Sequence, residues 1–228
     1  MRNKTNKIEK IYNLIILDES GSMFGLEKMS VDGVNETIQT IKGAARAHPE
    51  QEQMFSFITF SDRGDRRPFR IHTLLSEIAL VNEISINDYL PCGSTPLWDT
   101  MGIALSTLER EVGENSIALV TVITDGYENS SKEYSVKQIQ EMVKRLDSKG
   151  WVFTYIGANQ DAMMEAGRLG IRNSLNFRAD EKGTKQMWMK EKSSRMAFYD
   201  HAADMNINAC ELKNDFFGGN DGDSYTTC

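Results

Sequence analysis

Asp18, Ser20 and Ser22 occupy alternate positions in Asp18-Glu19-Ser20-Gly21-Ser22-Met23, directly after the apolar run Ile11-Tyr12-Asn13-Leu14-Ile15-Ile16-Leu17. One carboxylate and two hydroxyls leaving the tip of a buried strand suit a hard divalent cation, which takes oxygen ligands. Two further oxygen donors stand in comparable places. Thr95 lies in Cys92-Gly93-Ser94-Thr95-Pro96, and Asp125 in Thr124-Asp125-Gly126 at the end of the apolar run Ile117 to Ile123. No His or Cys joins the set, and all-oxygen ligation favours Mg²⁺, Mn²⁺ or Ca²⁺ over Zn²⁺ or Cu²⁺. Two carboxylates balance a divalent charge, while hydroxyls coordinate without adding charge. Mg²⁺ seeks about six oxygens, so these groups leave a position for water or for an outside carboxylate.

Each residue also has a plainer reading. Ser20 and Ser22 suit turn formers or helix caps. Thr95-Pro96 has the form of a helix N-cap followed by Pro at the first helical position. Asp125-Gly126 is a turn signal, and Asp99 suits the positive end of a helix dipole, with a supporting contact to the site as its other reading.

Strands and helices must alternate to bring these loops together. Ile11 to Leu17 reads as the first strand, and Val31, Val34, Ile38, Ile41 and Ala45 recur at helical spacing until His48-Pro49. Met54 to Phe60 alternates as a second strand, and Pro68 to Leu74 returns as an antiparallel edge strand. Ser76 to Pro91 is ambiguous, with a short helix around Ile78 to Ile84 as one reading. Leu97, Met101, Ala104, Leu105 and Leu108 mark an amphipathic helix. Ile117 to Ile123 is a near-continuous apolar run, as in a central parallel strand buried on both faces. A helix over Val136 to Leu146, a strand over Trp151 to Ile156, a short helix over Asp161 to Leu169, a strand over Asn173 to Phe177 and a weaker helix over Glu181 to Tyr199 complete the pattern.

This alternation predicts an α/β fold: a doubly wound, mostly parallel sheet with one antiparallel edge strand and helices on both faces. The C-terminal ends of its parallel strands face one crevice, where Asp18 and Asp125 would meet Thr95. The expected organisation is an N-terminal extension over 1–10, one domain over 11–200 and a flexible polar tail over 201–228, which includes Gly218-Gly219-Asn220-Asp221-Gly222-Asp223.

The formal net charge of −7 over 228 residues argues against a nucleic-acid surface. The basic start, Met1 to Lys10, leads into an apolar run that stops at Asp18-Glu19 without a cleavage site, so it reads as a strand and not a secretory signal. No stretch reaches the length of a membrane span. Three sparse cysteines, Cys92, Cys210 and Cys228, fit a reducing, cytoplasmic setting.

With Asp18-x-Ser20-x-Ser22 after the first strand, Thr95 in Gly-Ser-Thr-Pro-Leu and Asp125 in Ile-Thr-Asp-Gly, the chain resembles the von Willebrand factor A family over roughly Ile11 to Phe177. The resemblance implies a Rossmann-like fold with a metal-ion-dependent adhesion site. Ser20, Ser22 and Thr95 would bind the cation directly or through water, with Asp18 and Asp125 in direct or supporting roles. It further implies a stand-alone binding module and no enzyme, in which an Asp or Glu of a protein partner completes the metal sphere. Bacterial or phage relatives of this compact kind suggest a stress-system component or an AAA+ ATPase as partner.

Competing readings are weaker. Aspartate-based phosphotransferases need a second acid where Ser20 stands, yet a metal-dependent hydrolase using the same carboxylates remains an alternative, as does a structural subunit with a vestigial site. No Gly-x-Ser-x-Gly elbow is present, and His48, His72 and His201 show no pairing with a serine. The Gly21-Ser22-Met23-Phe24-Gly25 loop lacks the Lys of a phosphate loop. Arg63-Gly64-Asp65 reads as a hairpin turn. Cys92 lies close enough in sequence to Thr95 for its oxidation to perturb that loop.

Overall fold

The computed structural model describes residues 8–64, 67–113, 115–158, 162–203 and 216–218. Six strands and five helices alternate: β1 (Lys10–Asp18), α1 (Glu27–Ala47), β2 (Glu52–Phe60), β3 (Phe69–Glu77), α2 (Leu97–Glu109), β4 (Ser116–Thr124), α3 (Val136–Ser148), β5 (Val152–Ala158), α4 (Ala162–Leu169), β6 (Asn173–Phe177) and α5 (Glu181–Ala203). The strands form one sheet in the order β3-β2-β1-β4-β5-β6. Only the β2–β3 pairing is antiparallel. The ambiguous stretch after β3 holds two short 3-10 turns, Ile78–Leu80 and Ile86–Asp88, instead of one helix.

Strand periodicity decides which helices cover which face. On β1, Ile11, Ile15 and Leu17 join a core with Val34 and Ile38 of α1 and with Met187, Trp188 and Phe198 of α5. Their alternates Tyr12, Leu14 and Ile16 join a second core with Met101 and Leu105 of α2, Ile139 and Val143 of α3 and Ala166 of α4. β4 splits in the same way, with Leu119 and Ile123 on the first face and Val120 and Val122 on the second. An apolar run on both faces is what a central parallel strand requires.

One polar patch interrupts the first face. Arg195 of α5 is fully buried; its Nε donates to Glu191 Oε1 at 2.6 Å and its Nη2 to Thr121 Oγ1 at 2.8 Å. Tyr199 OH donates to Asn13 Oδ1 at 2.6 Å, and Arg195 Nη1 also reaches Asn13 Oδ1 at 3.2 Å. A buried polar group costs stability unless it is bonded, so this network fixes how α5 sits on β1 and β4. Phe216, within the stretch read from sequence as a polar tail, is 5% exposed and packs against Phe198. Asp65 of the Arg-Gly-Asp tripeptide, Cys210, Cys228 and most of that tail lie outside the described residues.

The chain order reverses between β1 and β4, which are adjacent and parallel with Leu17 opposite Ile123. Such a reversal opens a crevice at the C-terminal strand ends. Asp18 closes β1 and Thr124 closes β4, so both lie at its floor. Among the described residues, no helix is long and apolar enough to cross a membrane.

Candidate metal centre

All five oxygen donors named from the sequence lie around this crevice. Asp18 is buried at its floor. Its Oδ1 accepts the Ser20 N–H at 2.7 Å, and its Oδ2 accepts the Thr124 hydroxyl at 2.6 Å. Ser20 Oγ lies 3.1 Å from Ser22 Oγ, and Ser22 Oγ donates to Asp125 Oδ1 at 2.6 Å. Thr95 enters from the opposite loop. The link is Gly126: a Cβ placed there would lie 3.4 Å from Ser22 Oγ, 3.5 Å from Thr95 Oγ1 and 4.0 Å from Asp18 Oδ2. Three oxygens, two from the loop after β1 and one from the loop before α2, thus converge on the small volume beside Gly126 of a third loop.

Neither serine behaves as a cap. Ser20 precedes the 3-10 turn Gly21–Met23, but its side chain makes no capping bond there. The expected capping role of Thr95 is corrected too. α2 starts at Leu97 with Pro96 in the capping position and no side-chain cap from that residue. The free amides of its first turn are met from a distant loop: Trp98 N–H donates to Glu128 Oε2 at 2.9 Å, and Asp99 N–H donates to Ser131 Oγ at 3.0 Å. Capping supplied from outside leaves the Thr95 hydroxyl free to face the crevice.

The same loop holds Thr95 in place. Thr95 N–H donates to Asn129 Oδ1 at 2.8 Å, and Asn129 N–H returns to Thr95 O at 3.1 Å. Glu128 Oε1 accepts the Ser130 and Ser131 amides, at 2.8 and 2.6 Å. Asp99, expected to serve the α2 dipole, is 4% exposed and accepts three backbone amides, from Lys132 at 2.7 Å, Glu133 at 2.9 Å and Tyr134 at 2.8 Å. Gly93 seals the other side. Its φ is +78°, and a Cβ there would meet Asp62 O at 2.2 Å, so only glycine fits. Asp62 and Ser94 pair as a bridge, and Gly21 N–H donates to Gly93 O at 3.0 Å.

Asp99 is the one support that the sequence singles out, for the helix dipole or a contact behind the site; Thr124, Asn129 and Glu128 are not singled out. Thr124 had a signal: it is the polar residue ending an apolar run, one step past the Leu17–Ile123 pair, which sets it beside Asp18. The loop residues had none, because their partners lie some thirty positions away. Tyr89 is a further support; its hydroxyl donates to the Asp18 carbonyl at 2.5 Å.

Burial dominates the electrostatics of the two carboxyls. Burial pushes the Asp18 carboxyl up to about 6, against the lowering effect of its bonds to Ser20 and Thr124, and the charge of Asp125 adds to the rise. Burial also raises Asp125, against its bond from Ser22. Among the described residues neither carboxylate forms an ion pair, and no cluster of three or more His, Cys, Asp or Glu side chains suited to a metal is found. The donors here are two carboxylates and three hydroxyls, a set that suits a hard cation and not a soft one.

With fold and crevice in view, the family follows. The von Willebrand factor type A domain model matches residues 14–188, and the chain belongs to that family. It is thereby a protein-interaction module in the general sense. A comparison with curated proteins finds no significant match. Among solved structures, the chain is similar to proximal thread matrix protein 1 from the mussel byssus, at 16% identity and a TM-score of 0.55, covering 82% of this chain and 46% of that one. The chain thus spans about half the length of that protein. It is also similar to the SpRpn10 VWA domain, at 14% identity and a TM-score of 0.52, covering 78% of this chain and 93% of that one. A third is the PilB minor pilin from Streptococcus sanguinis, at 11% identity and a TM-score of 0.57, covering 84% and 62%. At these identities the likeness establishes the fold alone.

Proposed function

We propose that the crevice binds a divalent cation, Mg²⁺ or the similar Mn²⁺ or Ca²⁺, through Asp18, Ser20, Ser22, Thr95 and Asp125. On this reading the chain is a metal-dependent binding module and not an enzyme, and a protein partner's Asp or Glu completes the site. The observation that carries it is the convergence of Asp18, Ser22 and Thr95 on the space left by Gly126. Among the described residues neither the buried Asp18 nor the partly buried Asp125 has an ion-pair partner, which adds support, since buried charges are otherwise paired or bind metals. Bound there, the cation would supply an electrophilic anchor for a carboxylate.

The rest of the recognition surface comes from the chain itself. Phe24, two residues past Ser22, is 79% exposed, and Tyr127, two residues past Asp125, is 52% exposed. Exposed aromatics on two of the three loops that carry the donors are apt anchors for a protein partner.

Affinity capture from the native host, with Mg²⁺ and with a chelator, tests the reading. Capture that needs Mg²⁺ and is lost in folded Asp125→Ala and Ser20→Ala supports it. Equal capture in chelator would favour a vestigial site. Turnover of a phosphoester with Mg²⁺, lost in Asp18→Ala, would favour hydrolysis.

A further inference from the structure

Beside the proposed cation site lies a second, basic pocket that the metal reading does not use. It is a cavity of about 220 Å³ where the end of β2 meets the start of β3, lined by Glu19, Ser61, Arg63, Arg67, Phe69 and Arg70. Three guanidinium groups surround one carboxylate. Glu19 is 2% exposed and its oxygens are already engaged: Oε2 accepts from Thr59 Oγ1 at 2.6 Å, and Oε1 accepts from Leu90 N–H at 2.7 Å and pairs with Arg63 Nη2 at 2.8 Å. Arg70 lies farther off, with Nη2 3.7 Å from Glu19 Oε1. Arg67 is exposed and forms no ion pair among the described residues.

Among the described residues, the nearby acids offset only part of this charge. Asp62 pairs with Lys132 at 3.3 Å, whereas Asp88, which accepts the Ser85 amide and hydroxyl at 2.7 and 2.8 Å, keeps its charge near Arg70. His72 bonds Thr59 through Nε2 at 2.9 Å, and its burial lowers its pKa, favouring the neutral ring. Among the described residues, three arginines against the carboxylates of Glu19 and Asp88 leave a net positive pocket on a chain whose net charge is −7.

The pocket is tied to the crevice on two sides. Glu19 sits between Asp18 and Ser20 in the chain. Asp62, between Ser61 and Arg63, forms a backbone bridge with Ser94, next to Thr95. Each tie lies one residue from a proposed cation ligand, and an extended segment gains about 3.3–3.6 Å per residue, which sets the short spacings tested below.

We propose that this arginine pocket reads a second acidic side chain of the same protein partner, so that the preferred partner motif carries two acids a few residues apart. The inference rests on the cation reading for the first acid only. Guanidinium forks suit carboxylates, and charge-assisted bonds are the strong ones. Arg63 is held by Glu19, Leu90 and Ser61 and presents a fixed edge, whereas Arg67 is exposed and has no ion pair among the described residues, so it would close on a ligand.

The test uses the full chain and synthetic Gly/Ser peptides carrying either one Glu or two, spaced by one to five residues. Binding is followed by NMR titration in Mg²⁺ and after chelation. The best two-acid peptide is expected to bind about tenfold tighter than the one-acid peptide. That gain should vanish in Arg67→Ala and reverse in Arg67→Glu, both exposed changes that leave the fold intact. A two-acid peptide that binds no tighter, or a gain that survives Arg67→Glu, overturns the proposal. If chelation leaves one-acid binding unchanged while the two-acid gain persists and needs Arg67, the cation reading fails and the arginine pocket stands.

Discussion

Removing the Asp99 carboxylate should loosen the candidate metal centre from a distance. Asp99 sits in the first turn of α2 and takes the amides of Lys132, Glu133 and Tyr134, each within 2.9 Å. Bonds to a charged group contribute about 1.5–3 kcal/mol each, so the three together hold roughly 5–9 kcal/mol in gross terms. The loop is only partly buried, so freed amides can hydrate, and Glu128 and Asn129 keep part of the loop in place. The net cost of Asp99→Ala is then about 3 kcal/mol. At about 2–4 °C per kcal/mol for a chain of this size, Tm should fall by roughly 6–12 °C. Asp99→Asn keeps one carbonyl oxygen for Glu133 and Tyr134 but turns donors toward Lys132, so it should cost about half as much. Thermal unfolding followed by circular dichroism, with urea melts for the free energy, reads both variants. Because the same loop anchors Thr95, the stabilisation produced by added Mg²⁺ should also shrink. A stability within about 1 kcal/mol of wild type for Asp99→Ala would refute the assignment of this carboxylate as the loop's anchor.

Other predictions follow from the same geometry. The folded-state carboxyl of Asp18 lies at about 6 against an ordinary 3.8. In metal-stripped protein, the stability tied to this group is therefore greatest below the ordinary value and is lost as pH rises through about 6. A cation needs the deprotonated form, so the Tm gain from Mg²⁺ should be small near pH 5 and at least about twofold larger near pH 7.5; thermal scans at both values decide it. Gly126→Ala meets only ordinary contacts and should leave metal-free stability within about 0.5 kcal/mol while abolishing the Mg²⁺ shift. Gly93→Ala, by contrast, strikes Asp62 O and should unfold the loop, seen as a large loss of Tm with or without metal. Arg195→Met should cost about 3–5 kcal/mol in urea melts by stranding Glu191, and Arg195→Met with Glu191→Leu should recover part of it.

The elements were legible because their apolar patterns are unambiguous. β1 and β4 are near-continuous apolar runs ending in an acid and a hydroxyl, and α2 and α3 carry clear stripes. The five crevice donors were legible for the same reason, since each stands at the end of such an element. Their supports, Asp99 apart, were not. Thr95-Pro96 satisfies the local rule for a cap, and only the distant Glu128 and Ser131 show that capping comes from elsewhere. Arg195 and Glu191 read as ordinary surface charges on a weakly periodic helix, yet they bury against Thr121 and Asn13 because the sheet face beneath them is polar. Long-range polar pairing leaves no periodic trace in a sequence, and both differences have that cause.

The account stands or falls on the cation. Mn²⁺ titrated into metal-free protein, with free Mn²⁺ read by electron paramagnetic resonance, is the direct measurement. A single saturable site per chain is expected, displaced by Mg²⁺ and absent in an Asp18→Ala variant that still unfolds cooperatively. No saturable binding by the wild-type chain, or equal binding by folded Asp18→Ala, would contradict it.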